Sequence, residues 1–157
     1  GGGARDGLSI AVLAGLLRWP EEIARHAEAI ARTPGLDPRF GILLDCVDTA
    51  GPLESDALPP ILADAGLACP EPDEYSGLRF GFLAEGATRQ DAAEELDQAI
   101  GLLVERPALE AALSEATARI EADLSEEAYA EQQRLLKRKL EFDRQLGHMA
   151  TKRATIS

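Results

Sequence analysis

Leu8, Val12, Leu16 and Trp19 recur at helical spacing, and the pattern predicts a short amphipathic helix over 8–18. Pro20 resets the chain; proline fits the first turn of a helix, and Glu21 and Glu22 complement the positive end of its dipole. Ile23, Ala27, Ile30 and Ala31 supply the apolar face of this second helix, and Thr33-Pro34-Gly35 ends it. Asp37-Pro38 is a start signal, an N-cap carboxylate followed by proline at the first position. Phe40, Leu43, Leu44 and Val47 form the buried stripe of the third helix, and Gly51-Pro52 stops it. Near 55–65, Pro59 and Pro60 each disfavour α geometry in the residue before them, which predicts a helix of two turns or fewer ending at Gly66.

Residues 66–87 form the longest irregular stretch, broken by Pro70, Pro72, Gly77, Gly81 and Gly86. Leu78, Phe80, Phe82 and Leu83 are expected to tuck it onto the core; their alternation is too brief for a strand. From Thr88, a fair N-cap with Asp91 at the third helical position, the stripe Ala92, Leu96, Ile100, Leu103 and Val104 predicts a long helix. Pro107 kinks or restarts it, and Leu109, Leu113, Ala116 and Ile120 carry the stripe on to about Asp123. Ser125 caps the last helix, Glu126 and Glu127 fill its first turn, and Leu124 with Tyr129 matches a hydrophobic staple. This helix is expected to reach about Ala150. A connection as short as Leu124-Ser125 allows only a tight turn, so 108–150 reads as a helical hairpin.

Alanine and leucine supply most of the apolar positions and β-branched residues are few, which favours helices over sheets. The expected class is all-α: a helical bundle followed by a long helix and a C-terminal helical hairpin. The chain divides into a linker or expression remnant at 1–7, a bundle at 8–105 and the hairpin at 106–157. The abrupt glycine run at its start suggests a fragment of a longer protein. The net charge of −12 is uneven. All of it lies in residues 1–119, whereas 120–157 balance seven acids with seven bases. The acidic part repels phosphate, and the scarcity of aromatics argues against a base-stacking platform, so no direct nucleic-acid contact is expected. Cys46 and Cys69 form no CxxC pair, which fits a cytoplasmic setting. The apolar run at 10–17 is too short to span a bilayer and ends at Arg18; neither a basic run nor a cleavage site makes it a signal peptide.

Candidate chemistry is thin. His26 and His148 are the only histidines, and no HExxH, Glu-x-x-His or Cys/His zinc spacing occurs. Asp45 and Asp48 share a helix face and could hold magnesium, but GxxxxGK[ST] is absent and a solvated face explains them. The same holds for Asp91, Glu94, Glu95 and Asp97. There is no GxSxG elbow, and Cys46 lacks an obvious base. No catalytic residue, metal or cofactor is expected.

The informative segment is 131–149. Leu135, Phe142 and Met149 repeat every seven residues, Leu146 joins them, and Leu136 and Leu140 widen the stripe. A two-helix hairpin cannot bury so wide a face alone; the rest must dock on the body or on a partner. Arg134, Lys137, Arg138, Lys139 and Arg144 line the other sides, diluted by Glu141 and Asp143.

Three stretches then carry a resemblance: Leu16-Leu17-Arg18-Trp19-Pro20-Glu21, Leu96-Asp97-Gln98-Ala99-Ile100, and Leu124-Ser125-Glu126-Glu127 with the helix after it. Together with the order of elements, they make the chain similar, over nearly its whole length, to the C-terminal helicase-binding domains of bacterial DNA primases, of an alphaproteobacterial type. None of the three is a catalytic signature. The resemblance implies a bundle like the N-terminal domain of the replicative helicase and a hairpin that docks on the N-terminal domains of that hexamer. The zinc-binding and nucleotidyltransferase parts of a primase would lie upstream, so this fragment is not expected to be an enzyme. Pro59-Pro60 departs from the helix-forming residues expected there. Tyr129, Leu136, Lys137, Arg138, Leu140, Phe142, Leu146 and Met149 are the candidate helicase-binding residues, on a chain expected to be monomeric by itself. Two other readings stand beside this one: a scaffold self-associating through its terminal helix, and a small metal-dependent enzyme in which Asp45, Asp48 and His26 converge.

Overall fold

A helix that is apolar on every side belongs in the middle of a fold, and the first helix is of this kind. In the computed structural model, which describes residues 4–50, 54–75 and 79–156, α1 (Ala4–Arg18) buries Leu8, Ala11, Val12, Leu13, Leu16 and Leu17. It is therefore a largely buried helix rather than the short amphipathic one its spacing predicts. It also begins at Ala4, so the expected 1–7 linker is helical from its fourth residue. Gly1 to Gly3 lie outside the described residues.

α1 packs against α2 (Glu21–Ala31) and α5 (Arg89–Asp123); α3 (Pro38–Ala50) lies on α2, α4 (Leu58–Asp64) on α3, and α6 (Glu126–Ile156) completes the chain. No strand occurs among the described residues, so the class is all-α. Asp37 caps α3 by accepting from the Arg39 backbone N–H at 2.9 Å. Pro59 and Pro60 sit in the first turn of α4, where their missing N–H groups have no intrahelical partner to lose; α4 is seven residues long, and Gly66 follows at φ +79°. The stop at Gly51-Pro52 lies outside the described residues.

The irregular segment after α4 is fastened from both sides. It holds two 3-10 turns, Pro72–Tyr75 and Gly81–Leu83, and buries Phe80 and Phe82 with stacked rings 5.1 Å apart. Leu83 is half-buried against the core, whereas Leu78 lies outside the described residues. Trp19 donates its indole N–H to the Phe82 carbonyl at 2.9 Å, and Arg18 reaches the carbonyls of Phe82 and Glu85. Arg39 is a buried cation that no pattern in the sequence marks. Its guanidinium holds both Asp37 carboxylate oxygens, the Ala68 carbonyl at 2.8 Å and Glu74 at 3.3 Å, tying the start of α3 to the loop. That hydrogen bonding keeps the Asp37 carboxyl below its ordinary pKa.

Of the kink or restart expected at Pro107, the restart does not occur: α5 runs on through it. Proline removes one backbone donor, but Leu102, Leu103 and Leu109 are buried on either side, and packing holds the helix together across the gap. The bundle and hairpin consequently share one core, in which Leu96, Ile100 and Leu103 join Leu109, Ala116, Leu135 and Phe142. Gln132 bonds Thr117 across the hairpin and Arg138 pairs with Glu105, so α6 returns antiparallel along α5 and also touches the Gly81–Leu83 turn.

Candidate partner-docking surface

Two apolar faces run along α6. The inner one is Ala128, Leu135, Phe142 and Met149, one residue every seven, with Leu146 between. Ala128, Leu135 and Phe142 are buried and Leu146 and Met149 pack against the core, so this face is the seam with α5. Tyr129, Leu136 and Leu140 lie one residue or more past each seam position. At 3.6 residues per turn they fall within an arc of about 40° and span about 16 Å. They are 58%, 40% and 70% exposed. The eight candidate residues are thereby divided. Phe142 is buried and Leu146 and Met149 are half-buried against the core, so these three make the buried side of a stripe expected to be buried or partner-facing, because two helices that meet along a seam use those positions. Tyr129, Leu136, Lys137 and Leu140 are presented outward.

Arg138 also turns inward, where it forms a two-pronged pair with Glu105 that raises its pKa. Arg134 pairs with Glu131, Lys139 with Asp143 and Arg144 with Glu141. The apparent basic stretch is therefore largely neutralised within the chain. Lys137 has no ion pair among the described residues and flanks Leu136.

The hairpin turn forms the outer end of the stripe. Ser125 caps α6 by accepting from the Ala128 N–H at 3.0 Å. Leu124 occupies the C-cap of α5 with φ 52°, the left-handed region, and is 82% exposed. That conformation costs a leucine about 1–2 kcal/mol, and helices usually end there on glycine. Near the tip the seam is made by the buried alanines Ala116 and Ala128. Ile120, Leu124 and Tyr129 instead line an open dish of about 480 Å³ with Ser125 and Glu126. Leu124 was not among the expected docking residues; the signal for it in the sequence is a leucine where the tight turn favours glycine.

The remaining candidates do not assemble. Asp45 and Asp48 are exposed on α3, whereas His26 is buried with its Nε2 3.4 Å from Asp97 Oδ1 on α5 and 3.8 Å from Glu22 Oε1. Among the described residues no three histidine, cysteine or carboxylate groups converge as a metal site requires. Cys46 is a buried thiol whose pKa burial pushes up, the opposite of nucleophile activation. No described helix is long and apolar enough to cross a membrane.

Burial lowers the His26 pKa, and Asp97 opposes that shift without cancelling it. A histidine with a lowered folded value contributes stability that is complete above its unfolded pKa of about 6.5 and is lost as pH falls from there through the folded value. The wild-type unfolding midpoint should therefore drop between pH 7.5 and 5 more steeply than that of His26→Gln. Asp37 acts in a separate window, below about pH 4. Parallel curves for the two proteins from pH 7.5 to 5, measured by thermal denaturation, would remove His26 from this account.

No family model matches the sequence, and no curated protein or solved structure is detectably similar to it.

Proposed function

We propose that this chain is the helicase-binding domain of a bacterial DNA primase. It docks on the N-terminal domains of the hexameric replicative helicase in the cytoplasm and modulates that enzyme during primer synthesis. The observation that carries the reading is the outward row of Tyr129, Leu136 and Leu140, on a helix whose neighbouring face already satisfies the fold. Single exposed apolar residues are ordinary, but three large ones aligned on one helix fit a partner's groove. The order of helices and the three resembling stretches point to the same partner. Leu140→Ala should weaken binding to the helicase N-terminal domain about tenfold, with an unfolding midpoint unchanged because Leu140 is 70% exposed. Isothermal titration calorimetry checks the first and thermal denaturation the second. Binding as tight as wild type would move the docking surface off the stripe. The same stripe could instead pair two copies of this chain. A concentration-dependent dimer in analytical ultracentrifugation, abolished by Leu140→Ala, would favour that reading.

A further inference from the structure

The tip of the hairpin is built against the interests of its own fold. Glu121 and Asp123 lie in the last turn of α5, which carries no basic residue, so their charge meets the negative end of the helix dipole. Leu124 holds a left-handed backbone that glycine adopts without strain. Its side chain is 82% exposed beside the half-exposed Tyr129. Between Ile120 and Tyr129 the chain has four acids, Glu121, Asp123, Glu126 and Glu127, and no base, while Glu131 has its carboxyl held down by Arg134 and by Arg119, which lies just before them. Glu126 and Glu127 suit the first turn of α6. The other features run against local stability together, at one place, around one apolar dish. Local rules are broken in this concentrated way where a surface is kept for recognition.

We infer that this dish, formed by Ile120, Leu124 and Tyr129 with an acidic collar of Glu126 on its wall and Glu121, Asp123 and Glu127 beside it in the chain, is the anchor of the docking surface. Its occupant is a protein surface that presents an apolar side chain flanked by lysine or arginine. Charge complementarity selects that partner: the collar repels an acidic surface and attracts a cationic one, while the apolar floor gives the contact its hold. The remainder of the stripe, Leu136 and Leu140 beside Lys137, sets the direction in which the partner lies along α6. This inference rests on the helicase reading and says which part of the hairpin the helicase grips.

The test exploits the conflict between folding and recognition. Leu124→Gly removes both the strain and the side chain. It should raise the melting temperature by about 3–6 °C and weaken binding to the helicase N-terminal domain at least about tenfold. Asp123→Lys should also raise the melting temperature, weaken binding about threefold to tenfold, and flatten its dependence on salt. Leu124→Gly binding as tightly as wild type overturns the inference while leaving the helicase reading intact if Leu140→Ala still weakens binding. Should the wild-type chain not bind the helicase, the helicase reading fails, and the tip is tested alone. A lysine- and leucine-rich helical peptide, with its glutamate counterpart as control, is titrated into methyl-labelled protein. Shifts at Ile120 and Leu124 with the cationic peptide only support the anchor; no shift, or equal shifts with both, overturns it.

Discussion

Phe142→Ala should lower the unfolding free energy by about 3–5 kcal/mol. The ring is 4% exposed and is part of the core that α5 and α6 share. It also lines a small cleft of about 120 Å³ with Leu109, Leu113 and Leu146, so truncation enlarges an existing gap instead of opening one in solid packing. That places the expected loss near the lower end of the range, because part of the cavity term is already present in the native protein. Leu140→Ala, two residues away on the same helix and 70% exposed, should change stability by no more than about 0.5 kcal/mol. Equilibrium urea denaturation of the two variants compares them directly. A loss at Phe142 of the same size as at Leu140 would mean that α6 does not pack on α5 through the Ala128–Leu135–Phe142 face. Reduced helicase binding by Phe142→Ala would report a loosened hairpin, whereas Leu140→Ala reports the surface itself.

Gly15→Val is expected to be at least as damaging, about 3 kcal/mol or more. A Cβ at Gly15 would lie 2.6 and 2.7 Å from two Phe82 ring carbons and 2.9 Å from a Leu96 methyl. The ring cannot retreat easily, since Phe82 is fully buried and stacked on Phe80. Gly15→Ala sets two effects against each other. Alanine in a helix interior gains about 1 kcal/mol over glycine, and the overlap costs about 1–3 kcal/mol, so a small net loss is expected. Phe82→Ala should recover part of the Gly15→Val loss, because it empties the space that valine needs. A double-mutant cycle by urea denaturation measures that coupling. Additive losses would show that the glycine is not there for the ring.

Particular elements show how much could be read from the chain. The caps were legible because they are local: Thr88 accepts from the Asp91 N–H, Ser125 from Ala128 and Asp37 from Arg39. The tuck of Phe80 and Phe82 was legible because large aromatics in a loop need cover. The choice between a kink and a restart at Pro107 was not, since a proline's local penalty and the packing that keeps the helix continuous are set by different parts of the chain. Trp19 and Arg18, within a stretch that carries the resemblance, turn out to fasten the Gly81–Leu83 turn, a contact more than sixty residues away in sequence. The candidate site was half legible. Period seven marks Leu135, Phe142 and Met149 as one face, but it cannot say whether that face meets the molecule's own helix or another protein.

By itself, then, the sequence determined the helical class, the order of the helices, the capped starts at Asp37, Thr88 and Ser125 and the tight turn at Leu124-Ser125, all of which follow from propensity, capping and chain connectivity within a few residues. Only the tertiary structure decided which face of α6 is spent on the fold. Burial is a property of neighbours, and α5 claims Ala128, Leu135 and Phe142 while leaving Tyr129, Leu136 and Leu140 in water. It also decided that Leu124 stands exposed and left-handed at the tip, because a residue's exposure and the backbone angle a turn forces on it exist only once the two helices have met.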